Sequence, residues 1–263
     1  MKRLTFLPAL AGLVFILYIV LPVVSIFLNI NWPRLSTTIR MPVVLQALQL
    51  SGLTTLVATA VTIILGTPLA YFLARRSFPG REVIDTLLDL PLVLPPAVAG
   101  VALLMAFGRR GLLGALLAGW GISLPFTTVA VILAQVFVGA PFFLKTARNG
   151  FAAVDTSLEA ISLTLGKTPL QTFFRVTLPL AFPALFNGAI MTWARALGEF
   201  GATIMFAGNM PGVTQTLPLA IYMAMDSNLE AALVMAALLV LVSFAVLLAV
   251  KKVARGGDGH PYP

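Results

Sequence analysis

A cation and an anion lie inside a long apolar segment in the stretch TWARALGEFGATIMFAGN, residues 192–209. Arg195 and Glu199 are four positions apart, so on a helix they share one face and can form an ion pair. An unpaired charge at the centre of a bilayer costs about 2.5–3.5 kcal/mol, and pairing offsets much of that cost. Two uses are open: the pair fixes the packing of a membrane helix, or it lines a route for a charged substrate.

Two other patterns could carry chemistry. Asp85 and Asp89 form an i,i+4 carboxylate pair where a loop enters an apolar segment, and a solvated helix start is predicted there rather than catalysis. The tripeptide GKT begins at Gly166 like the end of a phosphate-binding loop, but the glycine needed five residues earlier is Ile161. The chain has no cysteine and a single histidine, His260, in a polar tail. No catalytic site and no metal site are predicted.

The composition predicts an all-α integral membrane protein. Of 263 residues, 59% are hydrophobic and only 10% are charged, against about 25% charged in soluble domains. A spanning helix needs roughly 20 mostly apolar residues. Because its apolar stretch is too long for a secretory signal, the first such segment is interpreted as a membrane anchor. Six segments are predicted as transmembrane helices: about 6–28, 47–73, 86–107, 125–144, 178–207 and 229–250.

Proline residues interrupt the third of these segments near its start. Pro91, Pro95 and Pro96 break the helical hydrogen-bond ladder. Such a break is tolerated in a membrane where protein or a cavity covers the backbone. A fixed kink is therefore predicted, with a gate hinge as the alternative.

The basic residues are divided unequally between the two sets of loops. With the N-terminus in the cytoplasm, twelve Lys and Arg residues lie on that side and four on the other. This positive-inside bias predicts that both termini are cytoplasmic. The formal charge of +8 lies at helix ends rather than on one basic face, so nucleic-acid binding is not predicted. The twelve are Lys2, Arg3, Arg75, Arg76, Arg81, Lys145, Arg148, Lys167, Arg175, Lys251, Lys252 and Arg255, and the four are Arg34, Arg40, Arg109 and Arg110.

The longest cytoplasmic loop, KTARNGFAAVDTSLEAISLTLGKTPLQTFFRVTLP, is less polar than an ordinary linker. A short amphipathic helix is predicted over 157–165, with Leu158, Ile161 and Leu165 on one stripe. Gly166 can end that helix in the left-handed conformation.

A second short helix is predicted directly after this glycine. Thr168 and Pro169 suit the N-cap and first position of that helix. Two exposed helices with apolar stripes suggest a cytoplasmic docking surface. A loop packed on its own bundle remains the alternative.

The end of this loop carries a family resemblance. Gly166, followed after nine residues by Val176, Thr177, Leu178 and Pro179, resembles the EAA-loop signature of ABC importer permeases. In that family the loop forms a coupling helix that sits in a groove of the ATP-binding subunit.

The match to this signature is imperfect. By spacing from the glycine, the glutamate position is Ala160, and the two alanine positions are Ile161 and Ser162. Glu159 lies one residue early. The resemblance therefore leaves open whether Glu159 takes the role of the family's glutamate.

Four further stretches within 44–250 are similar to molybdate-type oxyanion permeases. The resemblance divides the chain into a first helix with its external loop (1–43), a permease domain (44–250) and a cytoplasmic tail (251–263). The stretches are ALQLSGLTTLVATAVTIILGTPLAYFLAR, LPLVLPPAVAG, RALGEFGATIMFAGNMPG and TQTLPLAIY.

The resemblance implies a permease that imports molybdate or tungstate and has no ATPase site of its own. It implies a homodimer in the cell membrane, two cytoplasmic ATPase subunits that bind ATP and magnesium, and an external oxyanion-binding protein. No cofactor is expected in this chain. Alternatives are sulfate as substrate and an ion-coupled secondary transporter with Glu199 as proton site. A membrane enzyme is a third alternative, but the sequence contains no catalytic constellation to support it.

Weak polar groups suit the passage of a tetrahedral oxyanion better than strong charges, because tight binding hinders release. Thr192, Thr203 and Asn209 on the fifth segment are predicted as a possible anion pathway.

Overall fold

A computed structural model of the chain describes residues 2–257, in which all regular secondary structure is helical and no strand is present. His260 and the rest of 258–263 lie outside the described residues. A 3₁₀ turn at Trp32–Arg34 and a π-helix at Phe173–Thr177 accompany the α-helices. The α-helices are α1 (Lys2–Leu28), α2 (Leu35–Ile39), α3 (Pro42–Arg75), α4 (Arg81–Val93), α5 (Pro96–Phe107), α6 (Gly114–Gly119), α7 (Thr128–Ala153), α8 (Thr156–Thr164), α9 (Pro169–Thr172), α10 (Leu178–Leu197), α11 (Gly201–Ala207), α12 (Leu217–Ser227) and α13 (Leu229–Gly257).

Among the described residues, five helical stretches are long and apolar enough to cross a membrane, and the α4–α5 pair makes a sixth if counted as one span. The predicted all-α membrane architecture is therefore confirmed. The predicted boundaries at 44 and 250 fall inside α3 and α13 rather than between elements.

The third predicted segment, 86–107, is not one helix. The chain bends by 119° between α4 and α5. Leu94 is extended, as expected before a proline, and Pro95 stands at the N-cap of α5. Pro96 at the first position of α5 lacks the N–H that would continue the ladder of α4. The prolines thus make a sharp corner, much larger than the predicted kink.

The fifth predicted segment, 178–207, is also broken. α10 ends at Leu197 and α11 begins at Gly201. A Cβ at Gly201 would lie 2.6 Å from the Cβ of Pro96, so the two broken spans touch where each is interrupted. Residues 198–200 contain no proline, so this break, unlike the one at Pro95, has no strong signal in the sequence.

Helices α3, α7 and α10 form the centre of the bundle through small residues that allow close approach. A Cβ at Gly66 of α3 would lie 2.8 Å from the ring of Phe143 in α7. A Cβ at Gly139 of α7 would lie 3.1 Å from the Cγ2 of Thr192 in α10. These contacts fix the three helices side by side.

The sequence predicted only a solvated helix start at Asp85 and Asp89, but both side chains pair with cations of a neighbouring helix. Asp85 Oδ1 lies 2.6 Å from Arg148 Nη1 and Asp89 Oδ2 lies 3.0 Å from Lys145 Nζ, so both carboxylates join α4 to α7. Their role is structural, because each carboxylate neutralises a cation on the neighbouring helix.

Candidate functional site

The first short helix of the loop, α8, is capped at both ends by its own sequence. The Asp155 carboxylate accepts a hydrogen bond of 2.8 Å from the Ser157 N–H. That backbone hydrogen bond, with a side-chain one from Ser157, holds the pKa of Asp155 below its usual range. At the other end Gly166 has φ +81°, the left-handed conformation predicted for it. The helix itself matches the predicted one to within a residue.

The second short helix, α9, begins as predicted, with Thr168 at the N-cap and Pro169 at the first position. Thr168 Oγ1 accepts from the Gln171 N–H, and the Gln171 side chain accepts from the Thr168 N–H. This reciprocal capping box fixes the turn between α8 and α9. The Ser162 and Thr172 hydroxyl oxygens, 2.9 Å apart, join the two helices.

The apolar stripe of α8 points away from the bundle. Leu158, Ile161 and Leu165 are 42%, 54% and 74% exposed, while Ser162 of α8 is buried. Ala160 is exposed as well. A loop packed on its own bundle would bury this stripe, so the geometry favours the docking surface formed by Leu158, Ala160, Ile161, Leu165 and Gly166.

Glu159 points the other way, into the chain. Its Oε1 lies 2.7 Å from Arg75 Nη2 and accepts a 2.7 Å hydrogen bond from the Thr177 hydroxyl. Arg75 also donates to the Val154 carbonyl at 3.1 Å. We call Arg75, Glu159 and Thr177 the clamp, because together they tie α8 to the end of α3 and to the π-helix that leads into α10.

The sequence interpretation did not identify the clamp. It placed Glu159 in the docking loop and treated Arg75 only as a basic residue at a helix end. The two are 84 positions apart, so no local spacing signals their contact. The π-helix that holds Thr177 is likewise absent from the sequence prediction, although such insertions are frequent at functional sites.

Arg195 and Glu199 form the predicted ion pair, with 2.8 Å between Arg195 Nη1 and Glu199 Oε2. They do not share a continuous helix, because Glu199 lies in the break after α10. Glu199 Oε1 accepts a 2.7 Å hydrogen bond from the Ala202 N–H and so supports the start of α11. The Glu199 side chain is 1% exposed and the Arg195 side chain 29% exposed. Only the carboxylate is fully buried, which the sequence did not indicate.

The three residues predicted as an anion pathway have different surroundings. The Thr192 hydroxyl donates to the Gly139 carbonyl at 3.1 Å and is buried between α10 and α7, so it joins two helices rather than facing a route. Thr203 is completely buried, and its hydroxyl has no partner among the described residues. Asn209 is partly exposed in the loop after α11, and its Oδ1 is unpaired within the described part of the chain.

Gln135 on α7 was not identified from the sequence. It is 1% exposed, and its Oε1 has no partner among residues 2–257. A glutamine inside an apolar segment is the signal that could have found it, because a buried amide without partners is costly.

The chain matches a known protein family. A sequence model of the family described as "binding-protein-dependent transport system inner membrane component" matches residues 66–256. That range begins within α3 and takes in both broken spans and the whole loop with α8 and α9.

Individual relatives resemble most of the chain. The molybdenum transport system permease protein ModB of Mycobacterium tuberculosis is 43% identical over 252 residues, covering 95% of this chain and 94% of the relative. The molybdate/tungstate transport system permease protein WtpB of Pyrococcus abyssi is 37% identical and covers 77% of each chain. The solved structure of a bacterial ABC transporter that imports the polysaccharide alginate has a similar fold, with a TM-score of 0.75, 14% identity and coverage of 96% of this chain and 95% of the other.

Proposed function

Because the chain belongs to the binding-protein-dependent inner membrane component family of ABC transporter permeases, we propose that it carries molybdate or tungstate across the cell membrane as the permease subunit of an ATP-driven importer. The outward apolar stripe of α8 is the observation that supports this most directly, because it offers a partner a rigid surface outside the apolar spans. The names of the relatives ModB and WtpB support the choice of oxyanion.

ATP and magnesium are proposed to bind a separate subunit. Ile161 stands where a phosphate-binding loop needs glycine, and the loop is helical there rather than a strand followed by a turn. Two ATPase subunits would dock on the α8 surfaces of a permease homodimer, and a binding protein would deliver the anion from outside. Closure of the ATPases would then shift the permease between inward- and outward-facing states.

The secondary-transporter alternative fits the geometry less well. Glu199 is the deep acid that such a transporter would use to carry protons. Both of its oxygens already have a neighbour, Arg195 Nη1 at 2.8 Å and the Ala202 N–H at 2.7 Å, so neither is left open to a transport route.

The proposed function is tested by uptake into proteoliposomes that contain the chain, its ATPase and its binding protein. ATP-dependent accumulation of radiolabelled molybdate, reduced by an excess of unlabelled tungstate, is the expected result. Accumulation of sulfate in preference to both would show that molybdate and tungstate are not the substrates. Uptake that needs a proton or sodium gradient and no ATP would refute an ATP-driven importer.

The proposed orientation, with both termini in the cytoplasm, predicts a labelling pattern. Ser36 in α2 and Ser77 just after α3 are both exposed, and the long helix α3 lies between them. A membrane-impermeant thiol reagent added to intact cells should label Ser36→Cys and should label Ser77→Cys only after permeabilisation. The native chain has no cysteine, so it serves as the blank. Reversed labelling would contradict the orientation drawn from the basic residues.

A further inference from the structure

Arg195 lies well inside the membrane-spanning part of the bundle. Thr192, one turn earlier in α10, is beside Gly139, about 16 Å along α7 from its start at 1.5 Å per residue. α10 runs antiparallel to α7, so Arg195, three residues after Thr192, lies closer to the level at which α7 starts. It is roughly 12 Å further into the bundle than the start of α7. An arginine at this depth cannot leave 29% of its side chain in contact with lipid without a large cost.

The two members of the ion pair are held to different degrees. Glu199 is fixed by the Ala202 N–H, and its whole side chain is 1% exposed. Its Oε2 lies 2.8 Å from Arg195 Nη1 but outside hydrogen-bond geometry. A guanidinium has five N–H donors in a planar fork, so this single contact leaves donors for another acceptor.

The backbone beside this pair is open. Gly198 is exposed, and a Cβ added there would meet no other atom within 4 Å. Arg195 and Gly198 are three positions apart, so the exposed part of Arg195 and the open space at Gly198 lie on the same side of the chain at the end of α10. Nearby, Gly201 packs on Pro96 at the corner between α4 and α5.

We propose that Arg195 contacts the transported oxyanion at this break, and that Glu199 positions the guanidinium and weakens its hold on the anion. This inference rests on the proposed function and adds to it the residue that touches the substrate. A lone arginine in a low-dielectric route would bind a doubly charged anion too tightly for release. Because the Glu199 carboxylate is fixed beside it, the net charge of the Arg195–Glu199 pair is close to zero. The anion would then be bound by the N–H donors of the guanidinium rather than by a full positive charge.

The reporter for this contact is Gly198→Cys. Its φ of −89° suits any residue, and the open space accepts a side chain. The complete reconstituted importer carrying this change is treated with a neutral maleimide, which reacts with thiolates in water, while sodium tungstate is titrated in. We expect modification to slow, by about threefold once tungstate reaches twice its dissociation constant. Sodium chloride of equal ionic strength should not slow it.

The same measurement in the Arg195→Met, Glu199→Gln background, which leaves no charge buried, tests whether the arginine is responsible. Protection by tungstate should disappear there, whereas a purely structural arginine would leave the ratio of rates with and without tungstate unchanged. A structural role alone changes the amount of folded protein, which does not enter that ratio. Ala194→Cys, on the exposed residue before Arg195, is a second reporter if Gly198→Cys does not assemble.

Three results would overturn the proposal: thiols at both reporter positions that are inert to maleimide, modification without tungstate protection, or protection that persists in the Arg195→Met, Glu199→Gln background. If radiolabelled molybdate still accumulates in any of these cases, the contact is wrong and the proposed function stands. If the unsubstituted importer accumulates no molybdate or tungstate, the function itself has failed.

Discussion

The Arg195→Met variant is expected to lose thermal stability strongly, because it leaves the Glu199 carboxylate buried without its cation. Breaking a buried ion pair by removing one partner typically costs about 3–5 kcal/mol. Glu199 meets that condition at 1% exposure. The measurement is the fraction of detergent-solubilised protein that remains monodisperse after heating, compared with the unsubstituted chain.

The partner substitution should cost less. Glu199→Gln leaves an arginine that is already 29% exposed, and the amide oxygen can still accept the Ala202 N–H. The double variant Arg195→Met, Glu199→Gln should recover much of the stability lost in Arg195→Met, because no charge is left buried. It should still transport poorly if Arg195 contacts the anion. Equal stability of Arg195→Met and the unsubstituted chain would contradict a buried, paired carboxylate.

Removing the clamp charge with Glu159→Gln is expected to uncouple ATP hydrolysis from uptake. The substitution keeps the shape of Glu159 but removes the charge that Arg75 pairs with at 2.7 Å. α8 would then be tied to α3 and to the π-helix more weakly, so its movement with an ATPase would no longer be passed on to α10. Coupling free energies between sites are typically 1–3 kcal/mol, or about 5–150-fold. We expect the molybdate taken up per ATP hydrolysed to fall by roughly tenfold, within that range.

Matched variants separate coupling from loss of fold. The charge exchange Arg75→Glu with Glu159→Arg should restore part of the ratio, and Thr177→Ser should leave it unchanged, because the hydroxyl that donates to Glu159 is kept. Glu82→Gln, an exposed acid in the first turn of α4, is the control for loss of a carboxylate. An unchanged ratio in Glu159→Gln with normal assembly would show that the clamp does not transmit movement.

The sequence alone determined those features whose causes lie within a few residues of each other. α8 and α9 could be predicted nearly to the residue, because an apolar stripe at helical spacing, Gly166, Thr168 and Pro169 each act on their immediate neighbours. Membrane character followed from apolar length, and the pairing of Arg195 with Glu199 followed from a four-residue spacing. The same local cues carried the resemblance to ABC importer permeases.

The tertiary structure decided where helices break and which way polar side chains point. The bend at Pro95 and the break over residues 198–200 meet where Gly201 packs on Pro96, a contact between residues about a hundred positions apart that no periodicity records. Glu159 points inward because its carboxylate pairs with Arg75 and accepts a hydrogen bond from Thr177. The Thr192 hydroxyl is not free for a substrate because it donates to the Gly139 carbonyl. In an apolar environment a polar group goes where a partner from another helix satisfies it. Spacing therefore identified the polar residues, and only the packed bundle assigned their contacts.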